Sequence, residues 1–498
     1  MKIPTPPPAD AVKFCNFVTA SPTPFHAVSN LSSRLVSSGF TRVSERQPST
    51  LVPGGSYFYT RNQSSLVAFT LPPKPAPHSA ISFAVGHLDS CCLKLRPVSK
   101  KTKSGYLQVG VELYGGGIWA SWFDRDLSIA GRVIVSTPNA EAGFTSKLVK
   151  IDRPLLRIPT LAIHLDRTIN EAFKFNKETE FAPILGLVAD ALNEAGGSNK
   201  AKGTGTGTGT GTPAAPSRSS TPGRMEVDGQ DDAAGMGERH HPLLLAVLAD
   251  ELGCTVADIQ DFELSLYDTQ PSCVGGLSNE FIFSPRIDNL MTCFASIEGL
   301  CGAVEADAAE DNIRCVILFD NEEVGSVSNH GAESNLLPSF VERISAMPDY
   351  SSVGYHNLLA NSFLISADMG HAINPNYANK YEDNHAPKLN GGVVIKTNAN
   401  QRYTSTAQTT FLLRRIAQKA GVPLQEFEIR NDSSCGSTVG PHLSTHVRTV
   451  DIGLAQLSMH SIRETAGSSD VKHYIDLFKS FFDSFGAIDR DLQIDERP

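Results

Sequence analysis

Residues 313-IRCVILFDNEEVGS-326 contain an apolar run that stops abruptly at a cluster of acidic side chains. The run from Cys315 to Phe319 has the length and apolar content of a buried strand in a parallel sheet. Glu322 and Glu323 follow it side by side. Because adjacent side chains point in different directions, the two glutamates cannot share one role. The stretch therefore predicts a buried strand whose carboxyl end carries two carboxylates with separate functions.

Short apolar runs of this kind recur along the chain and alternate with helical segments. The runs are ISFAV, FIF, CVILF, SFLIS, GGVVIK and VDIGL. The helical segments NLMTCFASIEGLCGAV and TSTAQTTFLLRRIAQKA follow the second and the fifth run. This alternation is typical of an α/β domain. The sequence therefore predicts an α/β fold with a mixed, mostly parallel central sheet and flanking helices.

At 498 residues the chain exceeds one compact core, so we expect more than one domain. Residues 97–268 contain the strand-like pieces YLQVGVEL and GRVIVST and the helical segment PLLLAVLADEL. We interpret them as a β-rich domain inserted into a first domain of residues 1–96 and 269–498. Within the insert, residues 196–240 combine a Gly-Thr repeat with prolines, serines and acids. Such a segment cannot bury enough surface to offset its ordering entropy, so we expect it to be disordered.

The overall composition excludes several classes of protein. The formal net charge of −10 argues against a nucleic-acid partner, because binding to phosphates needs clustered Lys and Arg. No apolar run reaches the roughly 18 residues of a membrane span, and the N-terminal MKIPTPPPADAVKFCNF lacks the apolar core of a secretory signal. The nine cysteines are scattered and form no CxxC repeat, which is typical of reduced thiols that pack as small apolar groups. We expect a cytoplasmic protein with no membrane or nucleic-acid partner.

Ionisable residues follow the predicted strands, where ligands gather in open α/β sheets. These residues are His87, Asp89, Asp288, Glu322, Glu323, Asp368 and His460. Singly, each has an ordinary structural explanation, such as a helix N-cap for an aspartate or a solvated loop position for a histidine. Together, so many acids at one edge would repel one another unless cations were bound. Histidine with aspartate and glutamate suits zinc or another first-row divalent metal.

The number of these side chains matches a centre of two metals. Two histidines and three carboxylates could surround two ions about 3.5–4 Å apart if one carboxylate bridges them. Asp288, at the start of a helix, is a candidate bridge, and Asp89 is placed to fix the imidazole of His87. A water activated by the metals needs a base that passes its proton to a leaving amine. Glu323 can bind metal while Glu322, which points away from it, serves as that base.

Eight segments of the chain resemble the M18 metallopeptidases. They are GHLDS, SPRIDNL, DNEEVGS, SADMGHAINPNY, IKTNANQRY, RNDSSCGSTVGP, QLSMHSIRE and 111-VELYGGGIWASWFDRDLSIAGRV-133. The resemblance covers nearly the whole chain except the Gly-Thr segment. It implies a zinc-aminopeptidase-like catalytic domain with two Zn²⁺ ions per subunit, and an inserted β-rich domain for dimerisation and assembly. It also implies a homododecamer that removes N-terminal aspartate or glutamate from peptides, and it makes delivery to a vacuole the alternative to cytoplasmic residence.

The resemblance assigns the metal ligands residue by residue. One zinc takes His87 and Asp368, and the other takes Glu323 and His460. Asp288 bridges them. The bridging position agrees with the candidate that the residues themselves suggest, and the assignments leave Glu322 free.

The resemblance further implies the catalytic and substrate-binding groups. Glu322 falls at the general base of the family, and Asp89 falls at the acid behind the first histidine. A pocket for an acidic side chain needs a cation, because an unpaired buried carboxylate is costly. Lys396 matches the acid-binding lysine of the family, with Arg402 and Tyr403 nearby and Tyr403 the better match. On residue type alone, Lys396 could equally be an ordinary lysine at the end of a strand.

Two further histidines are candidates for contacts with substrate. His371 lies three residues after Asp368 in the sequence, close enough to orient a substrate or stabilise an oxyanion. His164 lies in the inserted domain, which the resemblance implies reaches the active site of a neighbouring subunit. Either histidine could instead be purely structural.

Three rival functions remain at this point. A peptidase or deacylase of the same architecture with neutral specificity would share the metal ligands, and a panel of Asp, Leu and Ala substrates would separate it. A non-catalytic assembly stabilised by metals would have no use for Glu322. A serine or cysteine hydrolase centred on 431-NDSSCGSTVG-440 is disfavoured, because GSTVG fits neither the G-x-S-x-G nor the P-loop pattern.

Overall fold

The computed structural model describes residues 6–47, 50–74, 76, 78–137, 142–188, 232–305 and 311–494. The helices of this part are α1 (Ala9–Ala20), α2 (Pro24–Ser37), α3 (Asp232–Arg239), α4 (Pro242–Leu252), α5 (Ile287–Glu305), α6 (Leu336–Ser345), α7 (Tyr355–Asn361), α8 (Ala407–Ala420), α9 (Gly440–Leu443) and α10 (Asp470–Arg490). The strands are β1 (Thr41–Arg42), β2 (Ser56–Arg61), β3 (Ser65–Thr70), β4 (Ile81–His87), β5 (Cys92–Lys103), β6 (Tyr106–Tyr114), β7 (Leu127–Ser136), β8 (Phe144–Lys150), β9 (Ile184–Leu187), β10 (Ile259–Asp268), β11 (Cys273–Gly275), β12 (Phe281–Ser284), β13 (Ile313–Phe319), β14 (Phe363–Ala367), β15 (Gly370–His371), β16 (Val393–Lys396), β17 (Leu424–Phe427), β18 (Arg448–Gly453), β19 (Ala455–Leu457) and β20 (Glu464–Gly467).

Nine of the described strands form a central sheet, in the order β1-β2-β3-β13-β4-β14-β18-β16-β17. At its centre, β13, β4, β14 and β18 run parallel to one another. β3 runs antiparallel to β13, and β16 runs antiparallel to β18. Every position of β4, β13 and β14 is buried, which is why these strands are almost continuously apolar. The predicted mixed, mostly parallel sheet with flanking helices is confirmed.

Helices cover both faces of this sheet. On one face α5, α8 and α10 pack through apolar side chains such as Leu290, Leu413 and Phe478. On the other face α6 and α7 contribute Phe340 and Leu358. Burying each of these side chains contributes roughly 1.5–3 kcal/mol relative to exposing it. Packing on both faces holds in place the strands whose carboxyl ends carry the ionisable residues.

The longest described helix, α10, has 21 residues and two chemically different faces. Phe478, Phe481 and Phe485 are buried on the face that packs on the sheet. Lys479 pairs with Asp483 at 2.6 Å on the outer side. Of the helices that the structure describes, none combines the length and the apolar content that crossing a membrane requires.

A second sheet, of six described strands in the order β8-β7-β10-β5-β6-β9, is antiparallel throughout. Its strands lie between Cys92 and Asp268, so the sheet overlaps the predicted insert of residues 97–268 but begins slightly before it. α3 and α4 pack on it through Met236 and Leu248. Because β5 starts at Cys92, shortly after β4 ends at His87, the second sheet begins directly beside the strand end that carries the first candidate ligand.

Five described strands form a third sheet, in the order β11-β12-β20-β19-β15. This sheet corrects the prediction that the FIF run belongs to the central sheet. The FIF run lies in β12, which pairs antiparallel with β11 and β20 and not with the central sheet. A run of three apolar residues carries too little periodicity to separate these cases, and Phe283 within it is partly exposed, at 37%. Asp288 therefore approaches the central sheet from the side, at the start of α5.

The direction of β16 corrects the reasoning about Lys396. Because β16 runs antiparallel to β18, its carboxyl end does not point to the edge where β4, β13 and β14 end. Lys396 reaches that edge with its side chain instead. Its Nζ donates a hydrogen bond of 2.7 Å to the carbonyl oxygen of Met369, next to Asp368.

Most of the low-complexity segment 196–240 lies outside the described residues, so its disorder stays a prediction. Its final part is described, and residues 232–239 form α3. Met236 is fully buried, and Oγ of Ser99 lies 2.8 Å from Nδ1 of the buried His240. The prediction of disorder is wrong for this end, because these two side chains pack against the second sheet.

Candidate metal centre

The carboxyl ends of three parallel strands bring ionisable side chains to one edge of the central sheet. β4 ends at His87, which lies in register with Phe319 at the end of β13. Just beyond Phe319, Glu322–Val324 form a short 3-10 turn. Asp368 directly follows β14, which is the other neighbour of β4. These residues converge because adjacent parallel strands end on the same side.

Asp288 lies between the two candidate histidines. Its Oδ1 is 3.3 Å from Nε2 of His87, and its Oδ2 is 3.3 Å from Nε2 of His460. Oδ1 of Asp368 is 3.8 Å from the same nitrogen of His87. Oε2 of Glu323 is 3.3 Å from Nε2 of His460. All five residues that the sequence suggests as metal ligands thus lie together, in two groups that share Asp288.

Both imidazoles are held by their Nδ1 atoms. Nδ1 of His87 lies 3.0 Å from the carbonyl oxygen of Asp89. Nδ1 of His460 lies 3.2 Å from the carbonyl oxygen of Gly116, in the loop after β6. A carbonyl oxygen can only accept, so each Nδ1 carries the proton that it donates. This tautomer leaves both Nε2 atoms directed at the carboxylates.

The carboxylate of Asp89 has a broader role than the sequence suggests. It is 1% exposed. Its Oδ1 accepts the backbone N–H of Glu322 at 3.1 Å, and its Oδ2 accepts that of Glu323 at 3.0 Å. The Tyr114 hydroxyl also donates to Oδ2, at 2.7 Å. Asp89 therefore orients the turn that carries both glutamates, while its main-chain oxygen orients His87.

Burial and crowding shift the ionisation of this edge. Burial, opposed by His87 and reinforced by Asp368, raises the pKa of Glu322 to about 8. Burial and the charge of Asp288 raise the pKa of Glu323 to about 7. Against the effect of burial, hydrogen bonding to Asp288 raises the pKa of His460 to about 12. Positive charge, either from protons on the imidazoles or from a bound metal cation, therefore balances the negative charge of the carboxylates.

The donor atoms fit a divalent metal such as zinc. Oδ1 of Asp288 and Oε1 of Glu323 are buried without a hydrogen-bond partner. The two side chains are only 5% and 4% exposed. Unpartnered buried carboxylate oxygens are costly, and a cation would satisfy them. Imidazole nitrogen combined with carboxylate oxygen is a donor set that zinc prefers.

Glu464 is a functional residue that the sequence reasoning misses. It is 2% exposed. Its Oε1 accepts the backbone N–H of His460 at 2.8 Å, and its Oε2 accepts that of Asp288 at 3.2 Å. One carboxylate therefore fixes the backbone of two candidate ligands. The sequence offers only its place in SMHSIRE, four residues after His460, which by itself does not indicate these contacts.

Cys91 is also missed, because the cysteines were interpreted as small apolar groups. Its Sγ lies 3.2 Å from Oε2 of Glu323. Burial, opposed by hydrogen bonding to His460 and reinforced by Glu323, raises the pKa of this thiol to about 12. The only signal in the sequence is its place directly after GHLDS.

Three of the predicted substrate residues, Lys396, Tyr403 and His371, are linked through ring contacts around Phe427. Lys396 is 2% exposed, and its Nζ lies 5.3 Å from the centre of the buried Tyr403 ring. His371 borders an adjoining cavity of about 180 Å³ together with Phe427. The His371 side chain keeps access to solvent. Desolvation by the surrounding walls, followed by repulsion from Lys396, lowers the pKa of His371. This cluster thus places one buried ammonium near a histidine that tends to stay neutral.

Three predicted features lie outside both the candidate metal centre and the cluster of Lys396, Tyr403 and His371. His164 is exposed in the loop between β8 and β9. Arg402 is exposed beside Tyr403, and its backbone N–H donates to Asn398 while its carbonyl oxygen accepts from Ser437. In the rival nucleophile loop, residues 431–434 are exposed, and Thr438 donates a structural hydrogen bond of 2.7 Å to Asp451.

An α/β sheet that gathers two histidines and several carboxylates at its carboxyl edge defines a metal-dependent hydrolase. The family described as Aminopeptidase I zinc metalloprotease (M18) matches residues 17–482. The chain belongs to this family and is a metallo-aminopeptidase. It is 48% identical to a protein named aspartyl aminopeptidase from Aspergillus oryzae, over 97% of this chain and 98% of that protein.

Solved structures of similar proteins agree with this assignment. A chain in the cryo-EM structure of the Ape4 and Nbr1 complex is 44% identical, with a TM-score of 0.87, over 98% of this chain and 88% of that chain. The mApe1 dodecamer of Saccharomyces cerevisiae is 28% identical, with a TM-score of 0.78, over 97% of this chain and 98% of that chain. The fold is therefore that of the M18 aminopeptidases.

Proposed function

We propose that this chain is a di-zinc aminopeptidase that removes N-terminal aspartate or glutamate from peptides. The observation that carries the proposal is the position of Asp288, whose two oxygens each face a different histidine at 3.3 Å. A shared carboxylate of this kind suits two ions and has no obvious use with one. The relatives named aspartyl aminopeptidase support the acidic specificity.

The two zinc ions would be held by groups that overlap at Asp288. His87 and Asp368 would hold one, and Glu323 and His460 would hold the other. When bound, the ions polarise the scissile carbonyl group and make water a stronger acid. Asp89 would keep the turn of the glutamates in place, and Glu464 would keep the backbone of Asp288 and His460 in place.

Glu322 would move the proton. Its Oε2 lies 3.8 Å from Nε2 of His87, so the carboxylate faces the centre, although Glu322 is not a member of either group of mutually close donor atoms. It would take a proton from the attacking water and deliver it to the nitrogen of the departing peptide. The raised pKa of Glu322, about 8, suits a group that must both accept and release a proton near neutral pH.

Lys396 would recognise the acidic side chain of the substrate. A buried ammonium with one carbonyl partner keeps donors available for a second acceptor. Tyr403 would line the pocket, and His371 would orient the substrate or donate to a developing oxyanion. A neutral-specificity aminopeptidase is the alternative, and it has no use for a buried lysine at this place.

The dodecamer named among the similar structures supports assembly of this chain into a homododecamer. The loop around the exposed His164 carries exposed apolar side chains, with Leu165 at 75% and Leu161 at 55%. Such a surface is typical of a protein contact. His164 would thereby reach a neighbouring active site. No disulfide joins the cysteines in the described part of the chain, which supports a reducing, cytoplasmic location.

Metal analysis combined with a substrate panel tests the proposal. The purified protein should contain two zinc ions per chain, and removing them with a chelator should abolish turnover. Matched peptides that begin with Asp, Glu, Leu or Ala should be cleaved in the order Asp or Glu far above Leu or Ala. Equal rates on Leu and Asp would refute the acidic pocket, and one ion per chain at full activity would refute the dinuclear centre.

A further inference from the structure

A thiol lies among the donor atoms of the second group. Sγ of Cys91 donates a hydrogen bond of 3.2 Å to Oε2 of Glu323. Cys91, Glu323 and His460 each offer one donor atom, and these three atoms lie within 4.8 Å of one another. A metal ion contacted by all three would require separations of this size. The thiol therefore lies where a third donor of the second metal position would be needed.

The loop after β6 confines this thiol. Gly115 has a φ of +79°, and a Cβ built on it would lie 2.7 Å from Sγ of Cys91 and 3.2 Å from Cβ of Glu323. The main chain of Gly115 therefore closes one side of the thiol. The next residue, Gly116, accepts from Nδ1 of His460. One short loop thus positions both the sulfur and the imidazole.

Glu323 provides an independent sign of a bound cation at this position. Its side chain is 4% exposed, and its Oε1 is buried without a hydrogen-bond partner. Its Oε2 faces both Cys91 and His460, at 3.2 and 3.3 Å. A carboxylate that is buried with an empty acceptor site points to a positive ligand.

We propose that Cys91 is a sulfur ligand of the second metal position, beside Glu323, His460 and the shared Asp288. This inference rests on the dinuclear centre proposed above. Thiolate is a soft donor, whereas the first position has only imidazole and carboxylate. The two positions therefore differ in preference, and the second favours zinc or cadmium over manganese or magnesium.

The adjacent cysteine supplies a matched control. Cys92, the first residue of β5, follows Cys91 directly, but it is not among the three donor residues Cys91, Glu323 and His460. Successive residues at the start of a strand point to opposite sides. Replacing Cys92 by serine therefore changes a neighbouring thiol without changing the metal position.

Replacement of zinc by Co²⁺ in the full-length protein tests the proposal by absorption spectroscopy. Binding of the second Co²⁺ should produce a sulfur-to-cobalt charge-transfer band in the near ultraviolet. The band should disappear in Cys91→Ser and in Cys91→Ala, and it should persist in Cys92→Ser. The role of Cys91 would be overturned if two Co²⁺ ions bind without the band, or if the band survives in both Cys91 variants. Either result would leave the dinuclear centre intact. A single bound Co²⁺ without the band would overturn both.

Competition between metals gives a second readout. The affinity of the second position for Cd²⁺ should fall about 10–100-fold in Cys91→Ser, a range typical for loss of a metal-site contact. Its affinity for Mn²⁺ should change much less. An equal loss for both metals would indicate that Cys91 only shapes the site, and it would refute the proposed ligand role.

Discussion

The hydroxyl group of Tyr114, the last residue of β6, donates a hydrogen bond of 2.7 Å to Oδ2 of Asp89. The same hydroxyl accepts from Nδ2 of Asn321 at 2.9 Å, in the turn that precedes the two glutamates. Tyr114 belongs to the second sheet, and Asp89 and Asn321 follow strands of the central sheet. This contact therefore ties the β-rich region directly to the candidate metal centre.

The first prediction concerns this contact. Tyr114→Phe should weaken metal binding about 10–100-fold, because Asp89 loses the donor that helps it orient His87 and the glutamate turn. Metal affinity measured by equilibrium dialysis against a chelator would report the change. Tyr106→Phe, on the same strand but with an exposed ring, should bind metal like the native protein. Equal metal affinity in both variants would contradict the proposed coupling.

The second prediction separates the two adjacent glutamates. Glu322→Gln should keep the metals and the assembly but lower kcat about 10²–10⁴-fold, because the amide cannot accept a proton from water. Glu323→Gln should instead lose metal from the second position, because it removes a charged donor beside His460. Metal content and kcat of both variants would be measured together. Near-native turnover in Glu322→Gln would show that another group is the base.

The third prediction compares two glycines of similar backbone conformation. Gly115 and Gly105 have φ values of +79° and +82°. Gly115→Ala forces a Cβ against Cys91 and Glu323, whereas a Cβ at Gly105 meets nothing within 4 Å. Both variants bear the cost of a left-handed alanine, about 1 kcal/mol, but only Gly115→Ala should lose metal and activity. Similar losses in the two variants would indicate backbone strain alone.

The fourth prediction concerns substrate choice. Lys396→Met keeps the length of a buried side chain but removes its charge. The ratio of kcat/KM for Asp over Leu substrates should fall roughly 100-fold, because the substrate carboxylate loses its buried partner. Lys419→Met, on the exposed side of α8, is the control and should keep the native ratio. An unchanged ratio in Lys396→Met would place acid recognition elsewhere.

The strand ends explain how much of the centre could be predicted from sequence. His87, Glu323 and Asp368 lie at or within a few residues of the ends of continuous apolar runs, so their meeting at one edge follows from a parallel sheet. α5 and α8 have the periodicity of long helices and were predicted from it. Family resemblance added the pairing of the ligands, which residue types alone leave open.

The remaining contacts act through groups that leave no pattern in the sequence. Glu464 contacts the backbone of Asp288 across 176 positions of the chain, and Tyr114 contacts Asp89 from another sheet. Neither contact produces periodicity or a recognisable spacing. The antiparallel direction of β16 was likewise hidden, because a run of three apolar residues does not show in which direction its strand runs.

The fifth prediction concerns stability in acid. His26 is 9% exposed, and its Nδ1 lies 2.8 Å from Oγ1 of Thr23. Burial, followed by repulsion from Lys150 and Arg286, lowers the pKa of His26 to about 4.

The lowered pKa of His26 makes stability depend on pH. In the unfolded chain the imidazole takes up a proton at about pH 6.5, so between these two pH values the unfolded state binds more protons than the folded state. Stability is therefore fully present above about pH 6.5 and falls as the pH drops towards 4, by up to roughly 3 kcal/mol. His26→Gln should flatten this part of a plot of unfolding midpoint against pH, whereas His446→Gln, at an exposed position, should leave it unchanged. If the midpoint of His26→Gln depends on pH as steeply as that of the native protein, other groups cause the acid sensitivity. The metal ligands do not confound the comparison, because they are the same in all three proteins.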